Sequence, residues 1–462
     1  MLKMKPYCLI LFRYLILVIK ILLVLLDPRS WFSSVKRRER LHDETNWTWL
    51  KVTHIWLHQI SYPRILRRIR KKARKHEKIQ VGFVVIDSAK WTSDSIFREF
   101  QKRPEFQLTI FVFPDDQAQG GQDAGMARTA EFFRSRGWDV KMGFDCASQK
   151  FADVSFFRGC DILFFDSPWH IHPVLRTENA GRYALTCYIP YGFCAAGNWE
   201  EAHYFKPIHT FAWRVFAETP WHKEQFKTQN PVTHGENVLS FGYPKLDILT
   251  ESAPEAARVW KGGENGRKRI IWAPHYSIVK PEVESFHHSK RQWSTFALIY
   301  RDMLESAQKD PQTEWLFKPH PVLFETIIKV GLMSKKEAEE YYRQWESLPN
   351  TQACYDGNYW DFFKTSDALI TDSVSFLLEY LPTKKPIFRI SSGNGEFNAL
   401  VNSIISTYYE GETAEEIQRF IKSVVWEEND FRAEERIGKL EHFLNVGTAG
   451  EKIVEYLSDC IS

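Results

Sequence analysis

The chain reads as an α/β protein with two Rossmann-like domains facing a cleft, preceded by an N-terminal membrane-associated helical segment. Three observations predict this. At 462 residues the chain is too long for one ordinary core, because single cores stop growing near roughly 250–300 residues. Short apolar runs alternate with helix-compatible stretches in two successive series, the pattern of parallel sheets covered by helices. An apolar and then basic N-terminus stands ahead of an acidic body.

In the first series IQVGFVVID, ending at Asp87, LTIFVF (108–113), WDVKM (138–142), DILFFD (161–166) and LTCYIP (185–190) are strand-like. Each is short, rich in β-branched or aromatic residues and bounded by turns. A glycine-rich break, GGENG (262–266), precedes the second series: RKRIIWAP (267–274), TEWLFKPHP (313–321), ACYD (353–356), DALITD (367–372) and KPIFRI (385–390). Helical patterns cover Ala127 to Arg136, Ser334 to Glu346 and Ser375 to Leu381. The expected division is a membrane anchor and basic segment over 1–78, an acceptor domain over 79–250 and a nucleotide-donor domain over 267–462, with a hinge near Gly242 to Gly266.

Residues 1–78 hold 19 Lys and Arg against 5 Asp and Glu, whereas the remainder holds 42 against 53. A basic tail on an acidic body suits an anionic membrane, which meets only the tail, and argues against nucleic acid, which the body would repel. Tyr7 to Leu26 is apolar enough to lie in a bilayer interface or to span it, with Arg13 and Lys20 on one face snorkelling towards headgroups. The clusters at Lys36 to Arg40 and Arg64 to Lys78, interleaved with Trp31, Trp47, Trp49 and Trp56, predict attachment to the cytoplasmic face. Seven scattered cysteines with no C-x-x-C pair indicate neither a disulfide framework nor a zinc site.

In open parallel sheets ligands gather at the carboxyl ends of strands, so the polar residues after each strand carry the chemistry. After WLF come Lys318-Pro319-His320-Pro321, a stiff turn whose Lys and His can meet a diphosphate. After ALI come Thr371, Asp372, Ser373 and Ser375 with Glu379 downstream, hydroxyls and amides at a helix start that suit an anion and would also serve as an N-cap. After IIW comes Pro274-His275-Tyr276-Ser277. In the first half Asp166 with His170, and Tyr191 with Gly192, end strands in the same way. His203, His209 and His222 read as structural. Walker A, G-x-G-x-x-G, H-E-x-x-H and G-x-S-x-G patterns are absent, which argues against nucleotide hydrolysis, dehydrogenation and zinc or serine hydrolysis.

Taken in order, G-Y-P-K-x-D, W-A-P-H-Y-S, K-P-H-P, S-D-A-L-I-T-D-S-V-S-F-L-L-E-Y-L and K-K-P-I resemble the CDP-glycerol glycerophosphotransferase family of teichoic acid and capsule enzymes over about residues 180–395. The resemblance implies a glycosyltransferase-B-like architecture and transfer of glycerol phosphate from a CDP-activated donor, without a metal cofactor, to a polymer or lipid-linked acceptor. It puts Lys318 and His320 on the donor pyrophosphate, with Asp372 and Ser375 at the ends of the family's D-Y-S-S element and Glu379 at its acidic position. Two departures stand out. The family's acceptor-side H-G is Tyr191-Gly192 here, and its P-T-x-R turn is Pro274-His275-Tyr276-Ser277. Tyr is a poor base near neutral pH, which leaves His275, His170 and Asp166 as candidates for that role. Two other functions stay open: a sugar-nucleotide glycosyltransferase of capsule or lipopolysaccharide synthesis, and an inactive scaffold.

Overall fold

The computed structural model describes residues 5–26, 34–114, 122–169, 172–197, 203–263, 266–278, 293–355, 359–391 and 395–462. They form two compact units. The first contains β1 (Ile79–Val85), β2 (Phe106–Val112), β3 (Val140–Met142), the small hairpin β4 (Phe144–Asp145) and β5 (Lys150–Phe151), β6 (Ile162–Phe165), β7 (Leu185–Tyr188), β8 (Arg214–Phe216) and β9 (Val238–Leu239). Seven of these make one parallel sheet in the order β3-β2-β1-β6-β7-β8-β9. Every residue of β6 and β7 is buried, which is why these strands read as unbroken apolar runs. Gly82 sits mid-strand in β1 because a Cβ there would lie 2.5 Å from the Phe111 ring and 2.7 Å from Leu163.

The second unit holds β10 (Lys268–Ala273), β11 (Thr313–Phe317), β12 (Thr351–Ala353), β13 (Ala368–Thr371), β14 (Ile387–Ile390) and β15 (Tyr409–Gly411). They form a parallel sheet in the order β12-β11-β10-β13-β14-β15. Its aromatic core stacks Trp272 on Phe296 and Phe317 on Trp345. Gly242 opens this unit at φ 97°, with its Cα so close to the Leu444 carbonyl that a Cβ would lie 2.1 Å from it.

Two of the expected boundaries move. The basic segment is not an appendage ending at 78. In helix Tyr62–Arg74, Tyr62, Ile65 and Ile69 are buried, and the Tyr62 hydroxyl bonds Thr186 and the Phe211 carbonyl. Arg68 and Lys72 pair with the fully buried Asp161. At the other end residues 450–462 return to the first unit, where Ser458, Tyr456 and the Cys460 carbonyl bond Arg103, Arg214 and Arg70. The second unit comprises 192–199 and 242–449.

Helix Pro6–Leu26 packs on helix Ser34–Trp56 and leaves Leu11, Phe12, Leu15, Val18, Ile19 and Leu22 exposed. Among the described residues no helix is long and apolar enough to cross a membrane. Trp47 and Trp49 lie against Phe205 and Phe211, so these indoles pack on the protein itself. Trp31 lies outside the described residues.

Candidate active site

The carboxyl ends of three adjacent strands, β11, β10 and β13, bring the second unit's predicted residues together. Backbone bonds lock the three turns to one another: the Lys318 amide donates to the Trp272 carbonyl at 2.8 Å and the His320 amide to that of Pro274 at 3.1 Å. The Thr371 hydroxyl donates to the Ala273 carbonyl at 2.6 Å. The His275 and His320 rings come to 5.4 Å, with Tyr276 against both at 4.5 and 4.4 Å.

Hydrogen bonds fix the chemistry of the two imidazoles. His320 Nδ1 accepts the Val322 amide at 3.2 Å, which puts the proton of the neutral ring on Nε2, where it can be given to an anion. His275 Nδ1 accepts from the Ser277 amide at 3.2 Å and lies 2.8 Å from the Ser277 hydroxyl, so its ring also carries its proton on Nε2. Burial, and then the neighbouring His320, hold His275 well below its ordinary pKa. It is a neutral group near pH 7. Lys318 is buried, with Nζ 5.6 Å from the centre of the Tyr359 ring.

The predicted donor residues divide into two groups. Thr371 also accepts the Ser373 amide at 2.8 Å, so its hydroxyl builds the turn. Asp372 accepts from the His275 amide at 2.6 Å and from the Thr295 amide and hydroxyl at 2.6 and 2.8 Å. Burial pushes its pKa up to about 6 against these bonds. Glu379 is fully buried and accepts from Lys245 at 2.9 Å and from the Tyr359 hydroxyl at 2.5 Å. The Thr371, Asp372 and Glu379 side chains are thus each engaged in holding the turns. Ser373 and Ser375 differ: their hydroxyls have no partner among the described residues, and Ser375 makes no side-chain cap. They are free for a ligand.

The same bonds explain a motif whose roles the sequence left open. In Gly242-Tyr243-Pro244-Lys245-Leu246-Asp247, Lys245 neutralises Glu379, and Asp247 accepts the Gly447 and Ala449 amides at 2.9 and 3.1 Å. Sequence reasoning gave Lys245 no role, because its partner Glu379 lies 134 positions away.

In the first unit Asp166 follows β6. It is 4% exposed, and neither carboxylate oxygen has a hydrogen-bond partner among the described residues. Burial raises its pKa to about 8, against the pull of Lys90. Lys90 also lies 5.8 Å from the Tyr191 ring. His170 lies outside the described residues. Gly192 meets nothing within 4 Å where a Cβ would stand, so it is not sterically required. At helix starts His209 Nδ1 accepts the Lys206 amide and His222 Nδ1 lies 2.7 Å from the Thr219 hydroxyl, in keeping with structural roles. Among the described residues no group of three or more His, Cys, Asp or Glu could hold a metal ion.

The chain thus has two parallel-sheet units, one of which carries a cationic and hydroxyl-rich set of turns at its strand ends. Residues 215–397 match the sequence model of the CDP-glycerol:poly(glycerophosphate) glycerophosphotransferase family. The resemblance carried by the motifs is thus borne out over this segment. The fold resembles that of a wall teichoic acid polymerase TagF variant solved with CDPG, at 14% identity and TM-score 0.53, covering 87% of this chain and 98% of that one. It also resembles the S. aureus MnaA–UDP structure, at 11% identity and TM-score 0.51, over 82% and 96% of the two chains. A UDP-N-acetylglucosamine 2-epimerase matches at 13% identity and TM-score 0.51, over 82% and 96%. These likenesses bear out the glycosyltransferase-B-like α/β fold. No curated protein matches the chain in sequence.

Proposed function

We propose that the enzyme transfers glycerol phosphate, or a related polyol phosphate, from a CDP-activated donor to a hydroxyl of a surface polymer or lipid-linked acceptor. The observation that carries this reading is the convergence of Lys318, His320, Ser373 and Ser375 at the ends of β11 and β13, inside the segment that matches the family. The acceptor oxygen attacks the phosphorus that bears the polyol, the bond from that phosphorus to the oxygen of CMP breaks, and CMP leaves. Lys318, the His320 Nε2 proton and the two serine hydroxyls offset the charge that grows on the leaving phosphate, the largest contribution such a site makes. No metal cofactor is required in this scheme. In the first unit Asp166 is the group suited to take the acceptor proton, since a desolvated carboxyl titrating near neutrality is a competent base. It takes over from the family's histidine, whose place Tyr191 occupies.

The exposed apolar residues of helix Pro6–Leu26 and the exposed cations Arg64, Arg67, Lys71 and Arg74 support attachment to an anionic bilayer surface at its cytoplasmic face. Tyr191 favours one second reading, a glycosyltransferase using a sugar nucleotide. Calorimetric titration with CDP-glycerol, CDP-ribitol and UDP-sugars decides between them: tight binding confined to UDP-sugars refutes the polyol-phosphate reading.

A further inference from the structure

Beside the phosphate-facing turns the second unit contains a cavity of about 170 Å³, lined in part by Trp293, Asp372, Arg389, Ser391, Phe397 and Asn402. We propose that it receives the polyol end of the activated donor. The inference rests on the reading above and assigns the part of the donor that this cavity takes.

Position is the first argument. Asp372 follows β13, and Ile390 and Ser391 end β14, so the cavity opens where the sheet continues past the strands that carry Lys318, His275 and Ser373. A donor whose diphosphate lies across the ends of β11, β10 and β13 sends one of its two arms towards β14. Size is the second. The volume is below the roughly 300–1,000 Å³ of pockets that enclose a whole drug-sized ligand, so only one portion of a nucleotide-activated donor fits.

Chemistry selects the portion. The Trp293 Nε1 and Arg389 Nε hydrogens are buried and meet no acceptor among the described residues. Arg389 is held by its ion pair with Glu410, and Trp293 by Gly395, where any Cβ would strike the indole at 2.0 Å. Two fixed donors without acceptors call for oxygen atoms, and the Ser391 hydroxyl and Asn402 amide add groups that both give and take hydrogen bonds. Leu377, Ile390 and Ile405 offer apolar surface to a short carbon chain. A nucleobase fits poorly. The Trp293 and Phe397 rings are 6.4 Å apart and inclined at 50°, which leaves no parallel slot for a flat ring.

The test uses the full chain and three variants: Ser391→Leu, which fills the cavity; Trp293→Phe, which removes one donor and keeps the ring; and Arg389→Met. Calorimetry with CDP, CDP-glycerol and CDP-ribitol is read beside thermal melts. The expected result is CDP affinity within about twofold of wild type, and CDP-glycerol affinity lowered about tenfold in Ser391→Leu, with a larger loss for CDP-ribitol. Equal losses for CDP and CDP-glycerol would overturn the assignment, as would unchanged binding of both. A wild-type chain that binds UDP-sugars and no CDP-polyol would instead remove the donor reading, a different outcome from either.

Discussion

Replacing Asp166 by Asn should make the protein more stable, and increasingly so as pH rises. In the fold the carboxyl is buried without a hydrogen-bond partner among the described residues, and its pKa is raised to about 8. In the unfolded chain it returns to about 3.9. Between those values the folded state holds a proton that the unfolded state has released, so stability falls as pH climbs from about 4 to about 8. At about 1.36 kcal/mol for each pH unit, the window corresponds to a loss on the order of 5 kcal/mol at its upper end. Asn cannot ionise and has no such term. Denaturant unfolding followed by tryptophan fluorescence at pH 5, 7 and 8.5 should show the variant gaining on wild type by several kcal/mol across that range. A difference that does not change with pH would refute the account of Asp166 as a desolvated acid. If Asp166 also takes the acceptor proton, the same variant should lose most of its turnover while binding CDP normally, and wild-type turnover should rise with pH towards about 8.

Other outcomes follow from the same structure. His320→Ala and Ser375→Ala should each lower turnover by about 10²–10³, as removal of a charge-stabilising donor does, with little change in melting temperature; near-wild-type rates would remove the donor-site assignment. Lys245→Ala should instead destabilise the second unit by about 3–5 kcal/mol, because it strands the buried Glu379 charge, and Glu379→Gln in the same chain should restore part of that loss in denaturant melts. Activity should survive EDTA, and an absolute need for added Mg²⁺ would contradict the metal-free scheme. Deleting residues 1–44 should release the protein from anionic vesicles in flotation assays without unfolding it. Deleting 1–77 should unfold the first unit, since Asp161 loses Arg68 and Lys72.

Most of both sheets was legible because buried parallel strands are short unbroken apolar runs, as ILFF of β6 and ALIT of β13 show. β8, β9 and β15 are only two or three residues long and gave no comparable signal. β12 begins at Thr351, ahead of the run read from sequence, because Thr351 and Gln352 pair with Trp315 and Leu316 despite their polarity. At the site, sequence position placed the turns but could not say which side chains each would use. Asp372 and Ser373 are neighbours, yet one carboxylate is consumed by the Thr295 and His275 amides while the next hydroxyl stays open, a distinction set by residues 77 and 97 positions away. The basic run Arg64 to Lys78 was legible only in part, for the same reason. Arg64, Arg67, Lys71 and Arg74 are exposed, as a membrane-facing pattern requires, but Arg68 and Lys72 answer a buried aspartate 93 and 89 residues downstream.

The central claim is that this chain breaks a CDP-activated polyol and passes polyol phosphate on. Purified protein incubated with CDP-glycerol, CDP-ribitol and a series of UDP-sugars, with and without a polyol-phosphate-terminated acceptor, reports on it directly through nucleotide release. The account predicts CMP release from a CDP-polyol that depends on the acceptor, resists EDTA and disappears in His320→Ala. Release from sugar nucleotides alone, or no release from any donor by folded protein, would contradict it.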